Sequence, residues 1–471
     1  MTTDWWRRVL RIEETKGQIA LAFPLILMNL AYCLITTISV MFAGHQGDLQ
    51  LAGATLANSW ATISGFTLML GLSGSLETLC GQHFGAKQYR MLGLHLQASC
   101  IITIFFCCII SVIWFFTDPI LLLLQQNADI SRTASLYMKL LIPGIFAYGL
   151  LQNIIRFLQT QSVVKQLIAV AISIFCLHIA ICYALVYGAG LGFVGAPLAT
   201  SISLWISVLI LVIYILCSDH FKETWSGLSL EALHYVYPNL KIALPSAGML
   251  CLEFWAFEIL VFLAGLMPKP DVTTSLIAIC VNTEAIVYMT TYGFSAAAST
   301  RVSNELGANN PDIAKTATFV AVKLSIFCVL LIDLILGLGN RGWSALFTSS
   351  STIKDEFTSM TPFLLLTLLV DSIQGILSGA LRGCGWQLYA FGINFGTFYL
   401  VGLPVACLLG FSLKLYSKGL WIGLLCGLSS QAFCLLMILK FKKWEKRANE
   451  IVTSEELGGG IQESLLLGIE V

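Results

Sequence analysis

Two carboxylates, Glu253 and Glu258, stand five residues apart in the run Cys251-Leu-Glu-Phe-Trp-Ala-Phe-Glu258, inside a stretch otherwise as apolar as lipid. An ionisable group at bilayer depth costs roughly 2.5 kcal/mol or more to insert, so such a group marks an ion or substrate pathway. Desolvation disfavours the charged form of a carboxyl, which suits it to binding and releasing a proton. Once deprotonated, the same acid attracts an organic cation, and Trp255, Phe257 and Tyr288 offer cation–π faces nearby in the sequence pattern. Mutual exclusion of proton and cation on one acid is a minimal exchange mechanism.

Further acids follow in the second half of the chain: Glu284, Asp333 and Asp371. The first half holds no carboxylate well inside an apolar run, so a proton-carrying site is expected in the second half. Helical geometry sorts the candidates. Glu253 and Glu258 are about 140° apart around a helix and cannot both point into one cavity. Glu253 is expected to face Asp371 and carry the proton, with Glu258 either tuning that site or accepting an interhelical hydrogen bond. Thr367, Asp371, Gln374, Ser378 and Arg382 share one helical stripe at steps of three and four, and Glu284, Tyr288, Thr291 and Ser295 share another. Asn282 lies nearly opposite Glu284, an acid set toward the outer half of its helix, where lining an entrance is an alternative role. Tyr148, Gln152, Arg156 and Gln159 make a third stripe. Polar stripes on lipid-embedded helices are expected to face the bundle interior. Asp333 reads as structural.

These acids need spanning helices to hold them, and composition supplies the spans. Of 471 residues, 57% are hydrophobic and 11% charged, against about 25% charged in a soluble domain. The net charge is zero, and no basic tract interleaved with aromatics suggests nucleic acid. Fifteen cysteines scattered through apolar runs read as small membrane hydrophobes. The six His lack metal-ligand spacing, and Gly81-Gln-His-Phe-Gly85-Ala-Lys87 lacks the ending of a phosphate loop. No metal, cofactor or enzymatic chemistry is expected. Twelve apolar segments of spanning length fall near residues 19–43, 51–76, 96–117, 135–159, 167–187, 193–217, 242–266, 273–298, 316–338, 359–381, 388–409 and 419–440. Each exceeds the length of a strand, which predicts an all-α polytopic membrane protein.

The chain opens with Arg7, Arg8, Arg11 and Lys16, so its first apolar run reads as a span rather than a cleaved signal. The bias of Lys and Arg toward alternate loops, and the cluster from Lys440 to Arg447, predicts that both termini are cytosolic. An internal repeat is also legible. Gly85-Ala86 returns as Gly307-Ala308 and Gln152 returns as Gln374, at an offset of about 222 residues. The expected organisation is a cytosolic segment 1–18, an amino lobe 19–217, a polar cytosolic loop 218–241, a carboxyl lobe 242–440 and a solvated tail 441–471. Repeats of six helices predict a site between halves near the midplane.

The blocks Leu76-Glu-Thr-Leu-Cys-Gly-Gln-His-Phe-Gly-Ala-Lys-Gln88 and Ala297-Ala-Ser-Thr-Arg-Val-Ser-Asn-Glu-Leu-Gly-Ala308 resemble the multidrug and toxic compound extrusion (MATE) transporters. Leu381-Arg-Gly-Cys-Gly-Trp-Gln387 and Glu253-Phe-Trp-Ala-Phe-Glu258 resemble the plant detoxification branch in particular. The resemblance covers residues 19–440. It implies two six-helix lobes around a V-shaped central cleft and rocker-type alternating access. It also implies proton-coupled antiport of organic cations, flavonoids, alkaloids or xenobiotics, at the vacuolar or plasma membrane.

On the family pattern, the proton-coupling acids fall on Glu253, Glu258 and Asp371. Asn282, Glu284, Tyr288, Trp255 and Gln374 are the expected substrate-lining residues. Animal members carry an acid around Asn282, with which Glu284 is out of register. Bacterial members carry an acid in the first helix, which here has none between Pro24 and Ala43. The partners implied are small organic solutes, protons and the bilayer, with no nucleic acid and a monomeric chain. A lipid-linked substrate flippase of the same superfamily, or an uncoupled channel, is the alternative.

Overall fold

A computed structural model describes residues 12–451 and 453. Twelve helices in it are long and apolar enough to cross a membrane. We label them α1 (Ile12–Gly44), α2 (Asp48–Gly85), α3 (Tyr89–Phe115), α4 (Ala128–Thr160), α5 (Val164–Gly188) and α6 (Gly192–Cys217). The second six are α7 (Leu230–Gly265), α8 (Pro270–Gly307), α9 (Pro311–Ala345), α10 (Ser351–Cys384), α11 (Gln387–Ser412) and α12 (Tyr416–Phe441). No strand occurs among the described residues, as expected where every backbone group must be satisfied within its own segment.

Most helices overrun the apolar segments that announced them. α8 continues through Arg301 to Gly307 because the arginine is paired rather than exposed to lipid: Nη2 lies 3.2 Å from Glu305, one turn on. The stretch 218–241 is not a loop throughout. It forms short 3₁₀ turns at Asp219–Phe221 and Leu230–Tyr235, and the α-helix of α7 begins at Val236. Pro238 falls in that first turn, where a missing N–H costs nothing. Past α12, residues 444–451 are helical, and Trp444 is buried with its indole N–H on the Leu439 carbonyl at 2.8 Å. That part of the expected solvated tail is therefore packed, while residues 454–471 lie outside the described residues. His83 sits in the last turn of α2 and hydrogen-bonds Gln88 at 3.0 Å.

The helices form two compact units. One comprises Leu21–Leu76 with Gly93–Ile259; the other holds residues 12–20, Glu77–Leu92 and 260–451. In the first unit α4 packs on α6 and on the start of α2, around a core that includes Trp114, Met69 and Ile145. In the second, α10 lies at the centre, packed on α8, α9 and α12. The glycines that mark the repeat meet here. A Cβ on Gly85 would run into the Asn304 carbonyl, and one on Gly307 would run into the Gln82 carbonyl. One backbone approaches another this closely only where the approaching residue has no Cβ.

Candidate functional site

Helix α10 carries the candidate centre. All five residues of its predicted stripe, Thr367, Asp371, Gln374, Ser378 and Arg382, are buried. The opposite partner is α8, and the sequence brings them close through Gly375, Gly379 and Gly383, one per turn of α10. A Cβ on Gly379 would run into the Ser295 carbonyl, so the two helices approach backbone to backbone at this level. That proximity delivers the side chains of α8 to those of α10.

Asp371 is thereby placed in a hydrogen-bonded group. Gln374 Nε2 donates to Asp371 Oδ1 at 3.0 Å, and Ser378 Oγ donates to Gln374 Oε1 at 3.1 Å. The Glu284 side chain of α8 lies beside Asp371. Glu284 is buried. Two carboxylates are acceptors only, so acids placed this close bond to each other when one of them carries a proton. The cluster thus holds two buried acids, Asp371 and Glu284, side by side.

One turn from Ser378 begins a second buried group. Arg382 Nε donates to Glu77 Oε2 at 3.1 Å, and its Nη2 donates to Ser295 Oγ at 2.9 Å. The Ser295 hydroxyl passes on to the Gly375 carbonyl at 2.6 Å. Thr78 Oγ1 donates to the Arg382 carbonyl at 2.5 Å, and Gln387 Nε2 donates to Thr78 at 2.6 Å. Glu77 stands in the second half of α2. It is fully enclosed, and the motif around it forms part of the second unit. The signal was present: an Arg on a buried stripe needs an acid, and no acid on α10 itself is in reach.

Tyr288 is half-buried and its ring lies 5.7 Å from that of Tyr292, extending an aromatic face from the acid pair. Asn282 is exposed, consistent with its position about 200° around α8 from Glu284. Glu253, Trp255 and Glu258 belong to the first unit. Glu253 is buried, Glu258 is half-buried, and their different exposure follows from the 140° between them. Trp255 presents an exposed ring, yet its indole N–H is held on the Ile63 carbonyl at 3.2 Å. Ile63 lies in a π-helical turn of α2, Thr62–Phe66, and such turns free carbonyls from the ordinary ladder.

One buried polar group of the first unit escaped the sequence reading. His178 Nδ1 lies 2.8 Å from Ser203 Oγ, and Nε2 lies 3.1 Å from Ser39 Oγ and 3.3 Å from Cys182 Sγ. Ser39 in turn lies 2.6 Å from Thr200 Oγ1. The hydroxyls at Thr200, Ser203 and Ser207, at steps of three and four along α6, are the pattern that would have revealed it. It ties α1, α5 and α6 together.

Twelve spans with buried acids paired between helices define a polytopic membrane transporter. The MatE family description matches the chain twice, over residues 24–184 and 245–408, and the chain belongs to that family. It is an integral membrane protein of the MATE transporter class. Protein DETOXIFICATION 18 of Arabidopsis thaliana is 57% identical over 440 residues, covering 93% of this chain and 94% of its own. Protein DETOXIFICATION 16 of Arabidopsis thaliana is 42% identical over 451 residues, covering 96% and 93%. The crystal structure of the eukaryotic MATE transporter AtDTX14 superposes with a TM-score of 0.90 at 36% identity, over 93% of this chain and 98% of that one. An outward-facing multidrug resistance MATE family transporter of the MOP superfamily has the same fold, with a TM-score of 0.81 at 17% identity, over 93% and 97%.

Proposed function

We propose that the chain is a proton-coupled antiporter that exports or sequesters amphipathic organic solutes: organic cations, flavonoids, alkaloids or xenobiotics. The observation that carries this reading is the burial of two acids side by side, Asp371 on α10 and Glu284 on α8. A pair of acids holding one proton between them has a single negative charge to neutralise. A second proton or an organic cation does so equally well, and each excludes the other. Gln374 and Ser378 orient Asp371, which keeps the pair ready for either occupant. Glu253 is the second proton-coupling acid, and Glu258 supports it. Gln374, Tyr288, Asn282 and Trp255 line the solute path, with the two aromatics supplying the cation–π contact.

In this reading the lobes 19–217 and 242–440 rock against each other around a V-shaped cleft. A monomeric chain, with both termini cytosolic, sits in the vacuolar or plasma membrane. The names of the relatives, which speak of detoxification and multidrug resistance, support the solute class.

Transport of an organic cation such as tetraethylammonium into proteoliposomes, driven by an imposed pH gradient, tests the proposal. The expected result is gradient-dependent flux that is lost in Asp371→Asn. Flux indifferent to the gradient indicates a channel or an uncoupled flippase and overturns the reading. Flux that follows a sodium gradient instead overturns the proton assignment.

A further inference from the structure

The first unit contains a crevice of about 530 Å³ that the transport reading does not use. Its walls come from α3, α4, α6 and the segment leading into α7, with Cys100, Ile104, Ile154, Val212, Trp225 and Leu233 among them. The lining is almost wholly apolar. Gln97 and Ser229 are its polar members, and Gln97 is already engaged at both ends of its amide. Nε2 donates to the Gly227 carbonyl at 2.9 Å, and Oε1 accepts from the Ser229 backbone N–H at 2.8 Å.

That arrangement decides what the crevice takes. An ordered water needs two to four polar partners, and a polar solute needs several of its own. Neither finds them on these walls. The volume falls within the range of roughly 300–1,000 Å³ typical of occupied ligand sites. An empty space of that size forfeits the dispersion contacts of every side chain around it.

The rim shows where the occupant comes from. Leu228 and Leu230 are 88% and 84% exposed, and Leu216 is 61% exposed. Three leucines so exposed beside a polar linker are unfavourable in water and neutral in a bilayer. They continue the lipid-facing surface of α3 and α6, where Phe105, Leu209 and Ile213 are also exposed. The crevice is thus an inward extension of the protein's lipid interface.

We infer that this crevice binds one acyl chain of a bilayer phospholipid, drawn in over the leucine rim and buried against α4. Gln97 pins the linker at Gly227 and Ser229 and so holds the roof of the site. The inference rests on the membrane-spanning fold and not on the exchange mechanism, so either stands without the other.

A phosphatidylcholine with a diazirine midway along one acyl chain tests it, using the full chain reconstituted in phosphatidylcholine vesicles. Photolysis and peptide mapping read the insertion sites. The expected labels include Ile154, Leu150 and Cys100, and Ile154 is buried beyond the reach of lipid that stays outside the crevice. Val212→Trp, which fills the space, is expected to lower these labels several-fold. It should leave unchanged the label on exposed Phe327 of α9, a remote lipid-facing control. Labelling confined to Phe105, Leu209, Ile213 and Phe327, with none at Ile154, Leu150 or Cys100, shows ordinary annular lipid only and overturns the inference. That result is read on the unmodified chain, so it does not depend on the variant's folding.

Discussion

Arg382 on α10 and Glu77 on α2, 305 residues apart in the sequence, form an ion pair at 3.1 Å with both side chains buried. The pair joins the last turns of α2 to the helix that carries Asp371. Removing one partner leaves an uncompensated charge in a low dielectric, at a cost of about 3–5 kcal/mol. Arg382→Met is therefore expected to destabilise the purified protein by that order in a thermal or denaturant melt. Adding Glu77→Leu is expected to return a large part of it, since a well-packed apolar pair often replaces a buried ion pair without loss. A single variant as stable as the wild type contradicts the assignment.

A proton shared as proposed predicts coupling between Asp371 and Glu284. Asp371→Asn and Glu284→Gln each remove the exchangeable proton, so the double variant is expected to be no worse than either single one. Initial rates of gradient-driven uptake in proteoliposomes measure this. The non-additivity is expected to fall in the range of roughly 0.5–3 kcal/mol seen for residues in one network. Strictly additive losses would mean that the two acids act separately.

Close backbone approach predicts that single methyl groups matter at two places. Gly379→Ala forces α8 away from α10 at the Ser295 carbonyl, and is expected to cost about 1–3 kcal/mol as overpacking. The same displacement misplaces Glu284 relative to Asp371, so transport should fall further than stability does. Gly307→Ala, at the Gln82 carbonyl, is expected to cost a similar amount of stability. Comparing melting temperature with uptake rate for the two variants separates the effects.

Trp421 on α12 donates its indole N–H to Thr367 Oγ1 at 2.9 Å, and both residues are buried. Trp421→Phe removes the donor while keeping most of the ring, and is expected to lower stability by about 1 kcal/mol. Thr367→Val on the same background should add little further loss, which a double-mutant cycle checks.

Much of this architecture was legible in the residues. The length and polarity of the apolar runs determined twelve spans, because a bilayer admits helices of that length and little else. The periodicity of Thr367, Asp371, Gln374, Ser378 and Arg382 determined that one face of α10 turns inward, and all five are buried. The block containing Gly85 and its echo at Gly307 carried the repeat, and those glycines do meet each other's helices.

The partners of the buried charges were decided only by the tertiary structure. Helical spacing states which residues share a face, but it says nothing of how far one helix slides along its neighbour. A shift of one turn, about 5.4 Å, is enough to exchange one hydrogen-bond partner for another. The sequence pattern expected Glu253 to face Asp371, gave Glu284 an entrance only as an alternative role, and named no partner for Arg382. In the structure, the glycine row of α10 sets the slide of α8, which puts Glu284 beside Asp371. The packing of residues 77–92 within the second unit puts Glu77 beside Arg382. The residue types thus determined that buried acids would need partners. Backbone approach, fixed by contacts hundreds of residues apart, decided which partners they have.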